Sequence, residues 1–203
     1  LYNKENTMHI VTIGGNIGCG KTTVLSKLRS HGRTVFTEPL EKWGSWLDIF
    51  YTNPERYGFS FQMKILHDFL YFTQEQKESN QTMITERSPM DSLHVFCKSL
   101  RDTKTITHME YNLFNDYVNT IGWKPDTFVY LRTLPDTCIQ RMRKRSRECE
   151  TGVDDQYIQQ IHEAYENYVN RLKNDPDVTV YVIDANMSVE QVYNDVIQKI
   201  GSM

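Results

Sequence analysis

Gly15-Asn16-Ile17-Gly18-Cys19-Gly20-Lys21-Thr22 fits G-x-x-x-x-G-K-[ST] at every fixed position. The spacing has a chemical reason. Glycines let successive backbone N–H groups turn inward around a β-phosphate, and a helix that follows presents its positive end to the anion. Lys21 then reaches the β- and γ-phosphates, and the Thr22 hydroxyl can ligate Mg²⁺. Context separates such a loop from a glycine-rich turn with a chance lysine. A β-branched run at 9–13 precedes the loop and an apolar-periodic stretch at 21–28 follows it, the strand–loop–helix order that the phosphate reading needs. Residues 15–23 therefore read as a nucleoside-triphosphate site, Thr23 included.

Outward from the loop, strands and helices alternate. Residues 34–37, 82–86, 128–131 and 178–183 read as further strands. A helical pattern covers 54–78, with Phe61, Ile65, Leu66, Phe69 and Phe72 on related faces. Another is traced by Ile158, Ile161, Tyr165, Tyr168 and Leu172. Arg87-Ser88-Pro89 opens a helix, since proline is tolerated in a first turn, and 189–200 forms the last one. Five short strands separated by helices predict an α/β fold with a five-stranded parallel sheet covered on both faces. The expectation is one domain over 8–203, with 1–7 a frayed tail or non-native remnant and an arginine-rich lid at about 141–153.

Composition limits the partners. Lys and Arg number 23 against 26 Asp and Glu, a formal charge of −3, which argues against a nucleic-acid or membrane-surface binder because phosphate contacts need positive charge. No stretch approaches the roughly 18 apolar residues of a membrane span, and no secretory leader is expected ahead of the first strand. Cys19, Cys97, Cys138 and Cys149 show neither C-x-x-C nor another zinc spacing. A reduced intracellular compartment is expected, the cytoplasm first and the mitochondrial matrix second.

What the triphosphate is used for depends on carboxylates at neighbouring strand ends, which converge on the crevice beside the loop in an open parallel sheet. Glu38 ends the second strand and Glu86 the third. One can accept the proton of an attacking hydroxyl while the other holds the metal or its waters. Taken singly, each would serve as well as a helix cap or a solvated acid. Arg87 adds a fixed cation able to steady a hydroxyl or the transferring phosphoryl group. Further along, Arg141, Arg143, Lys144, Arg145 and Arg147 crowd together. A solvated helix face accounts for some of them, and the flanking acids weigh against a nucleic-acid patch. The preferred reading is a lid whose arginines close over the triphosphate.

Five blocks carry a resemblance: GNIGCGKTT, TEPLEKW (37–43), YTNPERYGFSFQ (51–62), ERS (86–88) and the arginine lid, spread over nearly the whole chain from about residue 10. Together they make the chain similar to the deoxyribonucleoside kinases, the group of deoxycytidine, deoxyguanosine, mitochondrial thymidine and insect multisubstrate kinases. The resemblance implies a P-loop kinase fold, ATP with Mg²⁺ as donor, the 5′-hydroxyl of a deoxyribonucleoside as acceptor, and a homodimer through packed helices. It implies Glu38 as general base, Arg87 beside the hydroxyl, and Glu86 with Thr22 on the magnesium shell. Lys21, Arg141, Arg145 and Arg147 correspond to phosphate contacts. Trp43 and Phe96 correspond to walls of the base pocket, with Phe61 in the same set, and Gln62 to the amide that reads the base edge. Tyr51 and Glu150 correspond to the pair on the sugar 3′-hydroxyl. Two positions depart: Gly14 stands where an acid often precedes the loop, and Cys149 where a second lid acid is common.

Base choice follows from Gln62, whose amide offers one donor and one acceptor that a flip exchanges. In cytidine- and guanosine-selective relatives an Arg and an Asp tighten the choice. Phe69 and Ser92 fall at those positions here and cannot form that pair. Ile65, Phe69 and Ser92 predict an apolar, uncharged pocket with room for the thymine methyl group, so thymidine is expected first, deoxycytidine second and purines last. Two other readings compete. A thymidylate-type nucleoside-monophosphate kinase shares loop and lid but needs a cationic clamp for an acceptor phosphate and no base for a hydroxyl. A non-catalytic nucleotide switch would read guanine through N-K-x-D, for which the sequence offers no convincing match.

Overall fold

The apolar run ahead of the loop is β1 (Ile10–Gly14), buried along its whole length. A strand covered on both faces needs apolar residues at successive positions, and IVTIG supplies them with a single hydroxyl. That group, Thr12 Oγ1, shares a 2.9 Å hydrogen bond with Thr85 on the neighbouring strand. The computed structural model describes residues 8–75, 82–147 and 150–201. In it β1 lies between β3 (Met83–Glu86) and β4 (Thr127–Arg132), while β2 (Val35–Phe36) and β5 (Thr179–Asp184) form the edges. All five strands run parallel, in the order β2-β3-β1-β4-β5. The order switches direction at β1 and opens a crevice at the strands' C-terminal ends. Ile13 is level with Glu86 across that crevice, so the phosphate loop and the ERS block leave the sheet side by side.

Alternation along β4 sorts the two faces, because successive side chains point opposite ways. Val129 and Leu131 join Leu25 and Leu28 of α1 (Lys21–Ser30), Ile139 of α7 (Pro135–Arg145) and Val196 of α9 (Val189–Ile200). Phe128 and Tyr130 face the other way, onto Ile161, Tyr165 and Tyr168 of α8 (Asp155–Leu172). A third core joins α2 (Leu40–Thr52), α3 (Pro54–Glu75) and α6 (His108–Ile121) through Trp43, Phe61, Leu66, Phe69, Phe114 and Val118. From β3 the chain passes through α4 (Pro89–Asp91), a π-helical stretch Ser92–Cys97, and α5 (Lys98–Asp102).

Several elements differ from the pattern. The strand expected at 34–37 is the two-residue edge β2, since Pro39 removes a ladder donor and leads into α2. Both α2 and α6 go beyond the elements that periodicity predicts. In α2, rings at Trp43, Trp46, Phe50 and Tyr51 and a mid-helix Gly44 blur the stripe. In α6, Met109, Leu113, Tyr117 and Ile121 are exposed, which breaks the polar face, although a reciprocal Thr107/Glu110 capping box marks its start. The helix expected at 54–78 is described as far as Glu75; 76–78, like the tail 1–7, lie outside the described residues. Among the described residues no helix is long and apolar enough to cross a membrane.

Candidate active site

The loop takes its shape from residues with left-handed backbone. Gly18 has φ +78°, and a Cβ there would meet the Cys138 carbonyl oxygen at 2.4 Å. Gly20, at φ +107°, caps α1, whose first turn holds no acid and so keeps its positive end open. Lys21 is buried and folds back over the loop, its Nζ donating to the carbonyls of Asn16 at 2.9 Å and Gly15 at 3.1 Å. Asn16 ties the loop to α8 through a 2.8 Å bond from Nδ2 to the Ile158 carbonyl. Ile17, Gly18, Gly20, Lys21, Thr22 and Thr23 line the cleft beyond the loop. Gly15, Asn16 and Cys19 build it from behind.

At the end of β3, Glu86 is buried. Its Oε1 accepts from Thr22 Oγ1 at 3.3 Å and its Oε2 from the Glu38 amide at 3.3 Å. Burial, with the Glu38 charge behind it, raises the Glu86 carboxyl above the ordinary carboxylate range against the pull of Lys21 and Arg87. Thr22 and Glu86 together offer oxygen donors beside the phosphate loop. That suits Mg²⁺, which keeps waters and phosphate oxygens for its remaining positions.

Arg87 follows Glu86 with φ +60°, a sparsely populated conformation for a non-glycine residue. Its backbone N–H pairs with Ile13 at 3.1 Å, fixing the turn to β1. The guanidinium is buried and each of its nitrogens donates: Nη1 to Glu38 Oε2 at 2.6 Å, Nη2 to the Gly15 carbonyl at 3.2 Å, and Nε to the Tyr165 hydroxyl at 3.0 Å. One face rests 4.6 Å from the Phe96 ring centroid. Burial works against its charge, but Glu38, Tyr165 and Glu86 more than offset that and hold the guanidinium firmly protonated.

Beyond this pair the cleft turns aromatic. Trp43 stands edge-on to Phe61, centroids 6.1 Å apart, with its indole N–H fixed to Asp68 at 2.7 Å. Gln62 is buried among them, and its amide oxygen has no hydrogen-bond partner among the described residues. Ile65 and Ser92 close the wall, and Tyr51 and Glu150 reach the same cleft. Glu150 is held by Arg145 at 2.6 Å and approached by Arg147 at 3.6 Å, so two lid arginines converge on one carboxylate.

Two expected residues stand apart. Phe69 does not line the cleft. It lies two turns beyond Gln62 on α3, where Phe36 and Trp123 pack against it at 5.8 and 6.1 Å and fill the space. Arg141 also lies outside the lining, donating to the Cys19 carbonyl at 3.3 Å and the Ala185 carbonyl at 2.9 Å, between loop and β5–α9 turn. Cys149 lies outside the described residues. Conversely, Leu40, Leu47, Phe50 and Tyr157 line the cleft without being expected there. Trp43, Leu47 and Phe50 recur at helical spacing and could have been found that way; Tyr157 gives no such signal, though burial raises its hydroxyl well above normal.

A buried ammonium facing loop carbonyls suits an incoming polyphosphate, and a carboxylate paired with a guanidinium beside it suits an acceptor that must lose a proton. Fold and cleft are those of a P-loop kinase. The chain belongs to the deoxynucleoside kinase family, whose model matches residues 11–203, and so phosphorylates a deoxynucleoside. It is 31% identical to the thymidine kinase of Ictalurid herpesvirus 1, over 93% of this chain and 84% of that protein. It is 24% identical to deoxycytidine kinase 2 of Gallus gallus, over 96% of this chain and 88% of that one. A solved structure of deoxyadenosine kinase from M. mycoides, with the products dCMP and a flexible dCDP bound, shares the fold at TM-score 0.85 and 24% identity, covering 96% of this chain and all of that one.

Proposed function

We propose that the enzyme moves the γ-phosphoryl group of ATP to the 5′-hydroxyl of a pyrimidine deoxyribonucleoside, thymidine first. The observation that carries the chemistry is the 2.6 Å Arg87–Glu38 pair at the mouth of the phosphate loop. Glu38 accepts the hydroxyl proton as the oxygen attacks, while Arg87 holds Glu38 and the acceptor in line. Lys21 carries charge on the β- and γ-oxygens, and Arg145 and Arg147 move from Glu150 onto the transferring group as the lid engages. Thr22 and Glu86 would hold Mg²⁺, which would supply positive charge beside the phosphates when bound. Tyr51 and Glu150 take the sugar 3′-hydroxyl.

The base preference rests on Gln62, buried with an unpartnered amide oxygen between Trp43, Phe61 and Ile65. Thymine presents O4 and N3–H, cytosine N4–H₂ and N3, and one amide serves either by flipping. Ser92 brings no charge, and an uncharged wall leaves room for the 5-methyl group. Burying a methyl contributes roughly 0.8 kcal/mol, about fourfold, so deoxycytidine remains a good substrate. The test is kcat/KM for the four deoxynucleosides under one set of conditions. Thymidine should lead and deoxycytidine follow within about tenfold, and a purine in first place refutes the pocket reading.

The same reading makes the enzyme a homodimer. Its support is the row Met109, Leu113, Tyr117 and Ile121, every fourth residue of α6, with Met109 81% exposed. Cys19, Cys97 and Cys138 are buried free thiols, in keeping with work in a reduced compartment, the cytoplasm before the mitochondrial matrix.

A further inference from the structure

Arg87 meets Glu38 through Nη1, but it is also gripped from the opposite side. Its Nε donates to the Tyr165 hydroxyl at 3.0 Å, and that hydroxyl donates in turn to Asp91 Oδ1 at 3.1 Å. Asp91 Oδ2 accepts from Ser88 Oγ at 2.6 Å, and the Asp91 amide donates back to the same oxygen at 3.3 Å. Asp91 and Tyr165 are both fully buried, and neither lines the cleft. The direction of each bond matters. A guanidinium only donates, so the Tyr165 oxygen must turn a lone pair toward Nε, and its own proton then needs an acceptor. Away from water, Asp91 is that acceptor. The carboxylate has a prepared place as well. A Cβ at position 14 would stand 2.9 Å from Asp91 Oδ1 and 2.3 Å from Phe128, so the glycine there leaves the room.

We propose that Asp91 and Tyr165 are positioning residues that hold the Arg87 guanidinium in line with Glu38, so that the aim of the arginine depends on a carboxylate outside the cleft. The proposal rests on the phosphoryl-transfer reading of Glu38 and Arg87. Four titratable groups face Asp91: Arg87 from the turn after β3, Tyr165 and Tyr168 from α8, and Glu38 across the site. Burial lifts the Asp91 carboxyl to about 6, against the Ser88 bond and the Arg87 charge. Ionised, it accepts from both hydroxyls. Protonated at Oδ1, the oxygen that Ser88 leaves to Tyr165, it would deprive the Tyr165 proton of its acceptor, and turnover should fall as the pH drops through about 6.

Asp91→Asn keeps the shape but carries one donor and one acceptor end, imitating the protonated acid at every pH. At alkaline pH its kcat should fall about tenfold with the nucleoside KM nearly unchanged, because misaim affects the transferring step more than binding. The acid limb that the wild type should show near pH 6 should be missing from it. Tyr165→Phe, which strands the buried Nε–H, should lower kcat by a similar factor, and the double variant no further, since both cut one chain. If Asp91→Asn does not fold, Tyr165→Phe decides alone. Folded variants that keep kcat within about twofold and the wild-type pH profile overturn the proposal, as does a loss confined to thermal stability. Glu38→Gln run alongside separates the levels. Full activity there refutes the site reading, whereas an inactive Glu38→Gln beside a fully active Asp91→Asn refutes only the positioning.

Discussion

A carboxylate that is to take a proton must keep one oxygen unoccupied, and Glu38 does so. Arg87 binds Oε2, while Oε1 makes no hydrogen bond among the described residues. Glu38→Gln removes the basic lone pair and keeps the volume. Its kcat should drop about 10²–10⁴-fold, with ATP affinity nearly intact by calorimetric titration. At this scale the sequence is informative wherever function is local. Lys21 and Thr22 were legible because a loop fixes their distance from its glycines. Glu38 and Arg87 were legible only as strand-end residues, and their meeting depends on β2 and β3 being neighbours. Tyr157 was not legible, because nothing local tells an N-terminal tyrosine of α8 that it faces a cleft built by α2 and α3. Phe69 shows the converse: it has the right helical phase but lies one turn past Ile65, where Trp123 from another element occupies the space.

The glycine-rich loop and α1 form one element, with Lys21 folded back over the loop carbonyls at the positive helix end. Lys21→Ala should weaken ATP binding far more than adenosine binding, because the contacts proposed for Lys21 are with the β- and γ-oxygens. Dissociation constants for the two ligands check this, and equal losses would mark Lys21 as a purely structural residue. Strands of this fold announce themselves as short β-branched runs between turn residues, so β1, β3, β4 and β5 fall within a residue or two of their expected places. The π-helical stretch Ser92–Cys97 does not. Wide turns have no residue signature of their own and arise from tertiary packing, often where a site needs them. Here the stretch brings Ser92 and Phe96 to one cleft.

For the whole molecule, the exposed row on α6 is the part that α/β patterning leaves unexplained. A Leu113→Glu, Tyr117→Lys double variant should shift the protein from dimer to monomer in sedimentation, leaving its far-UV spectrum unchanged; a wild type that already sediments as a monomer refutes the homodimer. The sheet class was legible from alternation alone, but the strand order was not, since the same five runs thread several parallel orders. That order has a further consequence, in time rather than in space. Thr12 and Thr85 bond across 73 residues of chain, and the Ile10 amide meets Asp126 across 116. The ribosome therefore releases the middle strand first and its two partners much later. Until then IVTIG, apolar and uncharged, waits with both backbone edges open, the kind of segment that pairs with other chains. Yield during synthesis should therefore depend on what shields β1 before β3 and β4 emerge.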